Sequence, residues 1–308
     1  MLYRIDFRAM GCGMIAMLES SSPHTEDLLS QVPGWFEGWE QTLSRFRSDS
    51  ELNSLNRAAG WPLKVSTTLW DVYREAEKAE KLSDGLVRVT MLKALELAGY
   101  DHSFDQLADE RPANPRNSWT QAPSIQEVES ERSTRSICLP ADMRLDFGGV
   151  AKGWAAMKAA KRLGKHGPAL VSAGGDMFIT EKLAGDQPWP VTISDPFRPG
   201  EIITTVMIPQ GGIATSGTDY RRWKQDGKWN HHILDPRTGQ PAATDLTAVS
   251  VIAPTTTEAE MAAKTILILG SLQGMAWIEA RPHLHALLVT QTGDIYCGNN
   301  MENYFWRP

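Results

Sequence analysis

The sequence predicts an α+β fold, with mixed and antiparallel sheets and packed helices. Three observations carry that reading. Short apolar strand-like runs recur along the second half, at Val191–Ser194, Ile202–Ile208 and Ala248–Ala253. Helical stretches separate some of them without a strict βαβ alternation, which argues against a doubly wound parallel sheet. The chain has 308 residues, enough for a single domain or for two interleaved lobes.

The elements follow in order. Residues 1–10 alternate Arg4, Asp6 and Arg8 with apolar neighbours, the signature of a strand and not of a signal peptide. Residues 26–46 read as helical with a break at Pro33-Gly34. Ser48-Asp49-Ser50 can cap a short helix containing Leu52 and Leu55, and Ser66 to Leu82 reads as a longer helix ahead of Gly85. Residues 101–124 are polar, carry Pro112, Pro115 and Pro123, and read as a surface loop. Gly149 to Leu163 is predicted as a helix opened by a glycine pair, and Ala169–Ser172 as a strand ending in Gly174-Gly175. Thr256 to Leu269 is predicted as a helix with a threonine cap and Gly270 at its end. Leu284–Val289 and Asp294–Cys297 form a predicted hairpin around Thr292-Gly293.

Composition narrows the function. There are 31 Lys and Arg against 37 Asp and Glu, a net charge of −6, which disfavours phosphate-neutralising nucleic-acid binding. Cys12, Cys138 and Cys297 form no C-x-x-C pair and no disulfide framework. The apolar stretch near the start, Met14–Leu18, is far shorter than the ~20 residues of a membrane helix, so the expectation is a cytoplasmic protein without membrane insertion.

Four segments could carry chemistry. Asp146-Phe147-Gly148-Gly149-Val150-Ala151-Lys152-Gly153 precedes a helix. Its glycines would let backbone N–H groups approach an anion, and Lys152 opposes the helix dipole unless an anion is near. Ser172-Ala173-Gly174-Gly175-Asp176 reads either as a close-approach loop or as a tight turn. Ala214-Thr215-Ser216-Gly217, followed by Tyr220, is rich in hydroxyls that can line a pocket; His231-His232 then precede the turn Asp235-Pro236-Arg237-Thr238-Gly239. On an extended segment adjacent histidines face opposite ways, so one of the two can act as a proton acceptor in a pocket. On the helix Thr256–Thr265, Glu260 and Lys264 share a face and can pair.

Taken together, these blocks resemble the ApbE-type FAD:protein FMN transferase family. The resemblance also rests on Met10-Gly11, on Leu43-Ser44-Arg45-Phe46 and on Ser50 to Asn56, in the family's order. It implies transfer of FMN from FAD to a Thr or Ser of a partner flavoprotein, with release of AMP and Mg²⁺ as cofactor. By the same resemblance His232 is the general base, and Met10, Phe46, Asp146, Lys152 and Leu234 contact FAD. Asn53, Thr215 and Ser216 join the expected cofactor-binding set. Phe46 stands where the family often has Tyr.

The metal positions depart from the pattern. The resemblance implies a backbone carbonyl at Gly149, an Asp where this chain has Glu260, and a Thr where it has Lys264. An ammonium cannot ligate Mg²⁺, so the sequence suggests that Lys264 partly replaces the metal, held by Glu260. The alternative expectation is a flavin-binding protein on the same fold that is non-catalytic or hydrolyses FAD weakly.

Overall fold

In the computed structural model, residues 1–104, 110–111, 121–219, 221–225 and 227–307 are described. Tyr220 and most of the expected loop 101–124 lie outside them. The chain divides into two compact units, Met1–Phe36 with Lys152–Asp219 and Thr244–Pro308, and Glu37–Ala151 with Tyr220–Ala243.

The first unit is built on an eight-stranded sheet: β1 Leu2–Ala9, β2 Cys12–Glu19, β3 Ala169–Ala173, β4 Asp176–Ile179, β5 Gly211–Gly217, β6 Leu246–Ala253, β7 His285–Thr290 and β8 Ile295–Gly298. Spatial order equals chain order, and every neighbouring pair is antiparallel. Two hairpins in it turn through paired left-handed residues, Met10-Gly11 (φ 49° and 69°) and Gly174-Gly175 (φ 65° and 102°). That geometry matches the twist of the flanking strands. The tight-turn reading of Gly174-Gly175 is therefore the observed one.

β6 is buried along its whole length. Two layers cover it, which explains a near-continuous apolar run where alternation would mark a half-exposed strand. On one side the long helix α2, Thr256–Glu279, packs on β5 and β6. On the other, the two-stranded ribbon Trp189–Ser194 and Ile202–Ile208 joins Ile213, Ala248, Ile252 and Leu287 in a core cluster.

Several element boundaries move. The helix predicted from Gly149 is α1, Ala151–Leu163; Gly148 and Gly149 form a turn in which Val150 and Ala151 both donate to Phe147 O. The region 26–46 holds helices Thr25–Ser30 and Val32–Leu43, so the break is at Gln31. Pro33 sits in the first turn of the second helix, where its missing N–H leaves no bond unmade. Thr255 caps α2 by accepting from Glu258 N at 3.2 Å. Gly270 (φ 78°) interrupts this helix as the sequence implies, but a second segment continues to Glu279. Asp245 caps it, accepting from Ser271 N at 2.8 Å and Ser271 Oγ at 2.5 Å. Among the described residues α2 alone is long and apolar enough to cross a membrane. The break at Gly270 and its packing on the sheet make it a core helix.

In the second unit, Ser50 caps the helix Glu51–Arg57 and Ser66 caps Thr67–Leu82, each accepting from the backbone N–H three residues on. The hairpin Arg222–Gln225 and Lys228–His231 pairs in parallel with Glu110–Arg111. The strand ends at His231, so the strict alternation expected across His231-His232 stops there.

Candidate functional site

The expected site residues fall into one group in each unit. In the first unit, α1, α2 and β4 bring three charges together. Lys152, in the first turn of α1, places Nζ 3.4 Å from Glu260 Oε1 on α2 and 3.7 Å from Asp176 Oδ2 at the start of β4. Their side chains are 16%, 6% and 8% exposed, so the ammonium and both carboxylates are largely withdrawn from water. One cation against two anions leaves this trio at −1 when all are ionised. Glu260 Oε2 is buried and has no hydrogen-bond partner. Gly153 explains how the carboxylate fits: a Cβ there would lie 2.9 Å from Oε2.

Thr256 Oγ1 donates to Met177 O at 2.9 Å, fastening the start of α2 to β4. Gly212 allows β5 to run beneath the same turn, since a Cβ would come within 2.4 Å of Thr256 N. Thr215 is exposed and shares a hydrogen bond with Ser250 Oγ at 2.7 Å across β5 and β6, whereas Ser216 is buried. Met10 occupies the β1–β2 hairpin tip. Lys264, one turn after Glu260, is half-buried.

In the second unit the organiser is Arg45, absent from the expected site set. Its side chain is 5% exposed; Nε lies 3.3 Å from Asp146 Oδ2, and Nη2 donates to Tyr100 O at 2.8 Å. The guanidinium sits 4.2 Å from the Phe46 ring centroid and 4.7 Å from that of Tyr100. Tyr100 stacks in turn on Trp223 (5.5 Å, 27°). Phe46 is half-exposed at the end of this row and offers an open aromatic face. Asn53 donates from Nδ2 to Arg45 O and Arg47 O, both at 2.8 Å, so it clamps the loop that presents Phe46.

Asp146 Oδ1 accepts from Gly148 N at 2.8 Å and shapes the turn that contains Gly149. Leu234 is buried with Met91, Leu95, Tyr100 and Trp223, a core position beneath the aromatic row. His232 is partly buried beyond the end of the hairpin, its N–H donating to Arg221 O at 3.3 Å. Burial pushes the His231 imidazole below the usual histidine value, favouring its neutral form. Asp235 accepts from Arg237 N, Nε and Nη2, locking the turn that follows. Arg45, Asn53, Asn56, Arg57 and Arg144 also border a cavity of about 170 Å³ in this unit.

Sequence reasoning missed Arg45 and Asp176 as site residues although both lie in quoted motifs. The available signal was an Arg next to an aromatic, and an acid directly after a Gly-Gly turn. Among the described residues no three His, Cys, Asp or Glu cluster as a metal site. The orphaned Glu260 Oε2 nevertheless suits a hard cation, which prefers carboxylate oxygens and completes its shell with water and phosphate.

The chain matches the model of the ApbE family over residues 10–288. The FAD:protein FMN transferase of Klebsiella pneumoniae is 30% identical over 93% of this chain and 88% of its own length. The enzyme of the same name from Treponema pallidum is 31% identical over 85% of this chain and 76% of its own. Two solved structures share the fold over essentially both chains, each at 22% identity: the ApbE protein of Thermotoga maritima (TM-score 0.86, 100% of both) and the Pseudomonas stutzeri flavinyl transferase ApbE (0.82, 100% and 98%). The chain belongs to the ApbE family of flavin transferases.

Proposed function

We propose that this protein transfers FMN from FAD to a Thr or Ser hydroxyl of an acceptor flavoprotein and releases AMP. The acceptor Oγ forms a bond to the FMN-side phosphorus as the P–O–P bridge breaks. The hydroxyl proton passes to His232, and the bridging oxygen leaves with AMP. Phosphoryl transfer depends on positioning and charge stabilisation, which the two groups are suited to supply. Lys152 offers positive charge to the pyrophosphate; the aromatic row ending in Phe46 offers a stacking face to the flavin.

The observation that carries this reading is the trio of Lys152, Asp176 and Glu260, a buried ammonium held beside an unfilled carboxylate oxygen. Met10, Asn53, Asp146, Thr215, Ser216 and Leu234 complete the cofactor-binding set, some of them by supporting the groups that face it. Asn53 and Leu234 act through the loop and the core they hold in place. Mg²⁺, where bound, would be held through Glu260 Oε2 and would neutralise phosphate charge. Lys264 reduces the need for it.

The test follows AMP by chromatography and FMN addition to acceptor by mass, with and without Mg²⁺. Wild type should release AMP and show weak metal dependence, Lys264→Thr a stronger one, and His232→Asn about 10²–10⁴-fold less transfer. Millimolar-range Mg²⁺ dependence in the wild type equal to that of Lys264→Thr would remove the role given to Lys264. FAD binding without AMP release would favour the non-catalytic alternative, which the lysine at a ligand position motivates.

A further inference from the structure

We infer that the outer edge of the strand Lys228–His231 is the docking site for the acceptor, taken as an extended, acidic segment that adds to the sheet. The inference rests on the transferase reading above. The hairpin register pairs Arg222 with His231 and Lys224 with Trp229, so these four side chains share one face. The opposite face is anchored: Trp223 is buried, its Nε1 donating to Ala98 O at 2.8 Å, and Asn230 Nδ2 donates to the same oxygen at 3.3 Å.

His232 N donates to Arg221 O, and this fixes the phase of the antiparallel ladder. The phase turns the N–H and C=O of Trp229 and His231 away from the partner strand, toward an edge that no strand among the described residues covers. Edges of this kind template an added strand, with backbone bonds giving affinity and alternate side chains giving specificity.

The face beside that edge carries its own selectivity. Trp229 is 56% exposed, with the Arg222 guanidinium 4.4 Å and the Lys224 ammonium 5.2 Å from its ring. An exposed lysine alone would read as protection against edge-to-edge aggregation. An exposed tryptophan flanked by two cations reads as a contact surface, since aromatic and Arg side chains dominate binding hot spots. Residues 219–231 hold four Lys or Arg against two Asp, in a chain whose net charge is −6. This local excess selects an acidic partner. The strand leads directly into His232, so an added segment would run its hydroxyl residue toward the proposed base.

The test uses the full chain with FAD and fluorescein-labelled 12-residue peptides holding one Thr. In one peptide Asp and Glu flank the Thr, in a second Lys replaces them, and a third is the acidic peptide N-methylated at alternate amides. Anisotropy should show the acidic peptide binding at least tenfold tighter than the basic one. N-methylation should abolish that binding. The pair Arg222→Glu with Lys224→Glu, both exposed and outside the core, should invert the charge preference, and Trp229→Ala should raise the KM for peptide more than it lowers kcat.

Equal binding of acidic and basic peptides, or N-methylated peptide binding as well as its parent, would overturn the inference. Self-association of the wild type that Lys224→Glu abolishes and acidic peptide does not displace would assign the edge to a second copy instead, and overturn it too. Charge-dependent binding with no FMN gained by any peptide would leave the docking edge standing and refute the transferase reading.

Discussion

The candidate site group of each unit buries a cation against carboxylate, and the two do so by different chemistry. In the first unit Lys152 is a point charge between Asp176 and Glu260, held by a strand and two helices. In the second, Arg45 is a planar fork: one edge meets Asp146, another the Tyr100 carbonyl, and its faces lie against Phe46 and Tyr100. The first arrangement carries a net −1 and a spare carboxylate oxygen, so it suits a metal cation. The second is neutral and layered, so it suits a flat ligand. Ammonium and guanidinium are not interchangeable in these settings, because one is compact and the other presents a fixed planar array of donors.

Removing Lys152 should give the largest effect. Lys152→Ala leaves two buried carboxylates without their cation, and breaking a buried pair in this way costs about 3–5 kcal/mol. Urea unfolding should show the first unit destabilised by that order. Lys152→Met paired with Glu260→Gln should recover part of the loss. If Lys152→Ala unfolds like wild type, the trio is solvated and the contrast with Arg45 disappears.

Arg45→Lys sharpens the same contrast from the other side. Charge is retained, but the fork to Tyr100 O and the two ring contacts are lost. Stability should fall by about 1–3 kcal/mol, the range for a lost charged hydrogen bond with stacking. FAD affinity should fall with it, because Arg45 positions Phe46. Phe46→Leu comes next in size. Its ring is half-exposed, so unfolding should be unchanged within about 0.5 kcal/mol. FAD affinity should drop up to tenfold, read by quenching of flavin fluorescence.

The sequence made most of the framework visible for local reasons. Ser50, Ser66 and Thr255 announce helix starts because a side-chain oxygen must satisfy an orphan backbone N–H within three residues. Met10-Gly11 and Gly174-Gly175 announce turns through backbone demands that act within two residues. Contacts over long sequence separation were hidden. Helical spacing offered Lys264 as a partner for Glu260, but it could not announce Lys152, whose ammonium reaches Glu260 Oε1 from far away in the chain. Asn53 belongs to the expected cofactor-binding set, but its clamp on the backbone carbonyls of its own loop, made by both hydrogens of its amide, was not visible in the sequence. Gly153 looked like part of an anion loop, while its missing Cβ accommodates an acid from α2.

The smallest effect concerns His231, where burial acts on a single titrating group. Burial holds the His231 imidazole below the ordinary histidine value of about 6.5. The folded state therefore binds its proton less readily than the unfolded chain. Below pH about 6.5 the unfolded state takes up more protons, so His231 favours unfolding as pH falls toward its depressed folded value, and the contribution is complete above 6.5. Stability of wild type should decline between pH 7 and 5 more steeply than that of His231→Gln, by a few tenths to about 1 kcal/mol, measured as the difference between two urea midpoint series. Because His231 lies on the Trp229 face of the hairpin, the same acidification should add positive charge there as the imidazole protonates. Identical pH slopes for the two proteins would mean that His231 titrates as in water, and that the hairpin shields it from nothing.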